Sequence, residues 1–450
     1  MTSQTTRGSA GIVVASAVAL FVVNLDFFAV SVALPETADS FGVTATQLQW
    51  VVSAYLLALA AFLIVAGRLA DLFGRKTWLL IGCAVFGGAS LAAGSAASAE
   101  ILIATRIVQG AGAAILMPVC IAVVTNAVPP AQVRRAVGVV FGVAAVGQGF
   151  GPLFGGAITE ISSWRWVYWI NVPIVALVAV LVIWAVPQSR DASDERRIDW
   201  PGLVLVIVGI SAFTYGVDAA ALVGWVAPRS LGMMLLGSGV LAAFVLWQRS
   251  AQPPLLELGL FRIREFSVMT LAGMVGNATG VTTVFLATVY LQSVEGMSAL
   301  MAGLALLFFS GGVMVAAQAS GRLDRFASWG VMMVALGVGA TGLIVMGVAL
   351  DSTAAFIAGS LLAGLGSGLS WSFASVVTQS VVPRDKAGAA SGVVLTILIG
   401  VGGVAIAIAA TLTADPNATN VARVLIGLGL VELACVPMVG LFGRGRRPQH

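Results

Sequence analysis

The sequence predicts an all-α polytopic membrane protein with fourteen transmembrane helices, and three observations carry that expectation. Of its 450 residues, 59% are hydrophobic and only 9% are charged, against roughly 25% charged in a soluble globular chain. Apolar runs of about the 20 residues that a spanning helix needs recur along the whole length. Basic residues gather in alternate connections between those runs.

The runs lie near 12–34, 48–67, 77–97, 100–124, 136–159, 166–186, 201–220, 229–248, 266–291, 299–320, 329–350, 354–379, 387–412 and 422–442. With the N-terminus inside, the cytoplasmic connections hold Arg68, Arg75 and Lys76; Arg134 and Arg135; Arg190, Arg196 and Arg197; and Arg249, Arg262 and Arg264. Further along they hold Arg322 and Arg325, Arg384 and Lys386, and the tail residues Arg444, Arg446 and Arg447. With Arg7 these make nineteen of the 23 basic residues, leaving Arg106, Arg165, Arg229 and Arg423. An even number of spans with both termini cytoplasmic satisfies the positive-inside rule throughout, and deleting one span inverts every later connection. The first run is longer than a signal-peptide core and reads as an anchor. The location expected from this is a cytoplasmic (inner) membrane, crossed many times.

Two hydrophilic connectors divide the chain, Pro187–Gly202 after the sixth span and Gln252–Phe266 after the eighth. The organisation they imply is an N-terminal six-helix half over 1–187, a linker with two inserted helices over 188–264, and a C-terminal six-helix half over 265–450. The decapeptide GRLADLFGRK at 67–76 carries four charges between two apolar runs, so it is a tight turn at a membrane surface. Gly67 and Gly74 let its backbone bend and its neighbours approach. A weaker copy, GRLDR at 321–325, occupies the corresponding place in the second half, the pattern of a duplicated transporter with two pseudo-symmetric halves.

Several function classes are excluded by what is missing from the sequence. The only histidine is His450 and the cysteines Cys83, Cys120 and Cys435 have no ligand spacing, so no metal site and no nucleophile–base set is expected, and hence no enzyme. No GxxxxGK[ST] sequence is present to couple ATP. The expected cofactor is none, with a proton gradient as the energy source. The expected partners are a small-molecule substrate, protons and the lipid bilayer, with no nucleic acid, and the chain is expected to be a monomer.

Asp26, in LFVVNLDFFAVSVALP, lies deep in the first span. A carboxylate at mid-bilayer costs about 3 kcal/mol on insertion scales and marks a pathway or a proton site. It can exchange a proton for a positively charged substrate; the alternative is a permanent pair with a buried base. Arg106 opens RIVQGAGAA in the fourth span and needs an acceptor there, with Gln109 one turn on. Tyr55 and Gln148 are expected to line a cavity, and WRWVYWINVP at 164–173 to anchor the chain at the outer interface. In GQGFGPLFGG, Gly147, Gly151 and Gly155 recur every four residues beside Gly156, a face against which another helix packs, and Pro152 permits a bend. Glu432, inside the last run, is a second candidate proton site.

GRLADLFGRK, RIVQGAGAA and GQGFGPLFGG, in that order, resemble the successive signature motifs of the major facilitator superfamily. LDFFAVSVALP and WRWVYWINVP are similar to its fourteen-span drug:proton antiporter branch. The resemblance implies that Asp71 links the cytoplasmic turn to a neighbouring helix end, with Gly67, Gly74, Arg75 and Lys76 shaping a conformational latch. It further implies that Arg106 takes part in proton coupling, that Asp26 binds substrate or proton, and that the glycine motif belongs to exporters. The expected activity is proton-coupled export of small amphipathic organic compounds such as drugs, antibiotics or a self-made metabolite. The alternative is an uptake symporter or metabolite permease of the same fold. Phe28 and Ser31 depart from the Thr and Asn usual in the first-span motif. The later spans lack the extra acids used for dications, which favours neutral or monocationic compounds.

Overall fold

The computed structural model describes residues 2–44, 47–188, 199–252, 254–256, 258–320, 323, 326–382 and 387–443. Every regular element among them is helical. In chain order these are α1 (Thr2–Phe41), α2 (Trp50–Phe73), α3 (Arg75–Gly94), α4 (Ala99–Ala127), α5 (Pro130–Ile161), α6 (Arg165–Trp169), α7 (Asn171–Ala185) and α8 (Trp200–Val223). They continue as α9 (Pro228–Gln248), α10 (Arg264–Val289), α11 (Ala299–Ser320), α12 (Ser328–Val348), α13 (Thr353–Ser380), α14 (Ala387–Leu412) and α15 (Ala418–Gly443).

Each of the fourteen expected runs coincides with a helix, except that the sixth is divided into α6 and α7 at Ile170. Among the described residues, thirteen helices are long and apolar enough to cross a membrane, and Gln47–Leu63 at the start of α2 is a shorter apolar stretch. The helix ends follow local chemistry. Ser98 caps α4 by accepting from the Ile101 amide at 3.4 Å, and Ser352 caps α13 through Ala355 in the same way. Proline opens α5 at Pro130 and α9 at Pro228, where its missing N–H would be unpaired anyway. A single residue, Gly74, joins α2 to α3 with φ 108° and ψ 125°, a conformation open to glycine and costly for other residues.

The chain divides into two compact units, Met1–Ile207 with Ser298–Gly303, and Val208–Met297 with Leu304–His450. In the first unit α1 packs along α5, α4 along α2 and α3, and α7 against α1 and α3. In the second, α12 packs against α13 and α15, and α10 against α13, α14 and α15. An apolar core gathers Met269 and Ala272 of α10, Met332 and Leu336 of α12, and Phe373 and Ala374 of α13. In that unit α10 runs directly into a π-helical turn over Tyr290–Val294.

Candidate functional site

Five helices of the first unit bring a polar cluster together inside an otherwise apolar bundle. Asp26 of α1 and Arg106 of α4 form an ion pair, Arg106 Nη1 to Asp26 Oδ2 at 2.6 Å, with neither side chain exposed. Arg106 Nη1 also donates to Gln109 Oε1 at 2.6 Å, and its Nε donates to the Val51 carbonyl of α2 at 2.9 Å. Asp26 Oδ1 accepts from Gln109 Nε2 at 2.9 Å and from Asn171 Nδ2 of α7 at 2.7 Å. Ser90 of α3 ties the donors together by accepting from Gln109 Nε2 at 2.8 Å and Asn171 Nδ2 at 3.4 Å, while donating to the Phe86 carbonyl.

The guanidinium plane rests on aromatic rings. Arg106 Cζ lies 4.1 Å from the centroid of Tyr55 and 5.8 Å from that of Tyr168 on α6, where ring quadrupoles attract the cation. Both charges therefore have direct partners, which a buried ion pair requires if its attraction is to offset desolvation. Three polar atoms in this cluster have no hydrogen-bond partner among the described residues: Arg106 Nη2, the Tyr55 hydroxyl and Asn171 Oδ1. Buried polar atoms of this kind are where a water or a polar ligand atom docks.

Helix lengths set the height of the cluster. Tyr55 is five residues into α2, Ser90 four before the end of α3, and Arg106 seven into α4. The layer thus lies one to two turns in from the helix ends opposite the charged turn. Gly74 is nineteen residues beyond Tyr55 on the same helix, about 28 Å of helical rise. Asp26 lies at the middle of the apolar stretch Ala10–Phe41 of α1.

Asp26, Arg106, Gln109 and Tyr55 are brought together, whereas Gln148 is half-buried on α5 and makes none of these bonds. Sequence reasoning missed Ser90, Tyr168 and Asn171. The last two lie in WRWVYWINVP, expected as an interfacial anchor. The break at Ile170 turns Tyr168 and Asn171 inward, and both are buried, while Trp166 stays exposed. The available signal was that an asparagine inside a span has to find a partner.

The expected latch residues surround the α2–α3 turn. Lys76 Nζ donates to the Ile183 carbonyl of α7 at 2.6 Å, and Gln188 Nε2 donates to Thr77 Oγ1 at 2.8 Å. A Cβ at Gly74 would come within 2.9 Å of Gln188 Cδ, whereas one at Gly67, inside α2, would meet only Pro118 Cβ at 3.8 Å. Arg75 opens α3. The side chains of Arg68 and Asp71 lie outside the described residues, as does the echo at 321–325 apart from Leu323.

The small-residue face of α5 is turned to α1. A Cβ at Gly147 would strike the Phe21 carbonyl, one at Gly151 would lie 2.6 Å from Phe28 Cβ, and one at Gly155 would strike the Ala29 backbone. Gly156 faces the Ala299 backbone in the same unit, and Pro152 lies within α5. This contact holds α1, and hence Asp26, against the bundle.

The chain is 33% identical over 385 residues to the multidrug resistance protein Stp of Mycobacterium tuberculosis, covering 84% of this chain and 71% of that protein. It is 36% identical over 410 residues to the cephamycin export protein CmcT of Amycolatopsis lactamdurans, covering 88% and 83%. The structure superposes on a crystal structure of a POT family transporter with a thioalcohol-conjugated peptide, with a TM-score of 0.71 over 96% of this chain and 95% of that one at 14% identity. The sequence pattern of the Major Facilitator Superfamily matches residues 16–407, a stretch that contains every residue of the buried cluster. The chain belongs to the Major Facilitator Superfamily.

Proposed function

We propose that this protein exports small amphipathic organic compounds across the cytoplasmic membrane in exchange for protons, as a monomer with both termini in the cytoplasm. The observation that carries the reading is the Asp26–Arg106 pair, sealed within the bundle, bonded directly across α1, α2, α4 and α7 and joined to α3 through Gln109 and Asn171 on Ser90. A proton added to Asp26 cancels its charge and leaves Arg106 seeking another acceptor, so one protonation event reaches five helices at once. Similarity to a multidrug resistance protein and to a cephamycin export protein supports the outward direction and the substrate class. Because the Asp26 charge is already matched by Arg106, a neutral or weakly cationic compound fits better than a dication.

The test is transport in everted vesicles with an imposed pH gradient, using a panel of lipophilic antibiotics. Accumulation should accompany proton exit from the vesicles, and Asp26→Asn should abolish it at normal expression. Accumulation driven by protons moving in the same direction as substrate would establish a symporter instead. Full proton-dependent efflux by Asp26→Asn would remove Asp26 from the mechanism.

A further inference from the structure

Glu432 is a second buried acid, in surroundings unlike those of Asp26. It lies on α15, is 2% exposed, and points at α10 and α12. Gly339 of α12 makes room for it, since a Cβ there would collide with the carboxyl group. Its Oε1 is hydrogen-bonded to Thr279 Oγ1 of α10, and its Oε2 has no partner among the described residues.

Among the described residues of the helices packed around it, no base is close by. On α10 the charged residues are Arg264 and Glu265 in the first turn, and Glu265 is fourteen residues from Thr279, about 21 Å of helical rise. The sequences of α12 and α14 contain no charged residue. The π turn presents Tyr290, whose hydroxyl donates to Glu295 at 2.8 Å. On α15 itself Arg423 is nine residues back, about 14 Å, and Cys435 is three residues on.

The hydroxyl of Thr279 has one proton and three acceptors in reach: the Val275 carbonyl at 3.0 Å, the Gly276 carbonyl at 3.1 Å and Glu432. When that proton serves the helix carbonyls, the contact with Glu432 needs a proton from the carboxyl group. An ionised carboxylate with an unpartnered oxygen and no cation, inside an apolar span, is strongly disfavoured, whereas the neutral acid is not. We propose that Glu432 is a proton-binding site in addition to Asp26, a neutral carboxylic acid donating to Thr279 while α10, α12 and α15 pack as they do here. Loss of the proton to water breaks the O–H bond and leaves an anion that this packing cannot hold, so release accompanies separation of α15 from α10.

Infrared difference spectra of the full-length protein in lipid, titrated between acidic and alkaline buffer, test this without any substrate and so independently of the export reading. The wild type should give a protonated-carboxyl C=O band that titrates. Glu432→Gln should remove one component of that band, and Asp26→Asn should keep that component. Thr279→Val, which retains the acid, should shift the band because the carbonyl stretch responds to its hydrogen bond. The proposal is overturned if the spectrum of Glu432→Gln keeps every component of the wild-type band, if the wild type has no such band, or if that component is unmoved in Thr279→Val.

Discussion

Arg106 Nη1 lies 2.6 Å from Asp26 Oδ2, an ion pair across α4 and α1 in which neither side chain reaches solvent. The two are eighty residues apart in sequence, and each is costly in an apolar span without the other. Arg106, Gln109 and Asn171 donate to the carboxylate and Ser90 holds the last two by accepting from them, so the charge is shared among three donor groups rather than left for a ligand. The pair is thus a structural joint between α1 and α4.

Removing one partner should cost far more than removing both. Arg106→Gln leaves Asp26 buried without its cation, and breaking a buried pair costs about 3–5 kcal/mol. In Asp26→Asn with Arg106→Gln no charge remains, so the double variant should unfold at a higher temperature than Arg106→Gln alone. Thermal unfolding in detergent checks the order. Strictly additive losses would indicate that the two side chains act independently.

Asn171 gives a prediction with a defined pH sign. Asn171→Ala removes one donor from Asp26 Oδ1, which costs about 1–3 kcal/mol where a buried acceptor loses a bond. Asn171→Asp instead sets a second carboxylate where the amide now donates at 2.7 Å. Two carboxylates at that separation cannot both ionise. As pH rises both are driven toward the anion and repel, while acid lets one keep a proton that bridges them. Transport by Asn171→Asp should therefore fall furthest below that of Asn171→Ala at alkaline pH, the gap closing as pH falls. Initial rates in vesicles across a pH series would measure it.

The architecture was legible because hydropathy and loop charge report on the membrane directly. All fourteen expected runs became helices, several with ends within a residue or two, as for 299–320 and 387–412. Asp26 and Arg106 were legible for the same reason, since a charge in an apolar run needs a partner. Ser90 was not: a serine can bond its own helix, as it does to Phe86, so nothing in the sequence distinguishes that from service to Gln109. Asn171 was hidden among aromatic residues whose composition points to the interface. In the structure its side chain is buried and bonded to Asp26.

The contact of α5 with α1 should tolerate no added bulk on one face and accept it freely on another. Gly155→Val drives a side chain into the Ala29 backbone, which overpacks the joint by about 1–3 kcal/mol and displaces the helix that holds Asp26. Gly138→Ala, on the same helix, has nothing within 4 Å of the new methyl group and should leave stability and efflux unchanged. Growth of a susceptible host on a toxic substrate, compared with unfolding temperature, would read both. Equal losses at the two positions would show that helix propensity, not packing, governs the effect.

The α2–α3 turn separates backbone strain from crowding. Gly74 has φ 108°, where an L side chain is strained by about 1–3 kcal/mol, and a Cβ there also crowds Gln188. Gly74→Ala should therefore lower the unfolding temperature, and adding Gln188→Ala should relieve the crowding without removing the backbone cost, giving partial rescue at most. Gly67→Ala meets only Pro118 Cβ at 3.8 Å and sits in a helix where alanine is favoured, so it should be neutral or slightly stabilising. A full rescue of Gly74→Ala by Gln188→Ala would place the whole cost in the side-chain clash. Little or no rescue would place it in the one-residue bend, which lets two spanning helices meet with no loop between them.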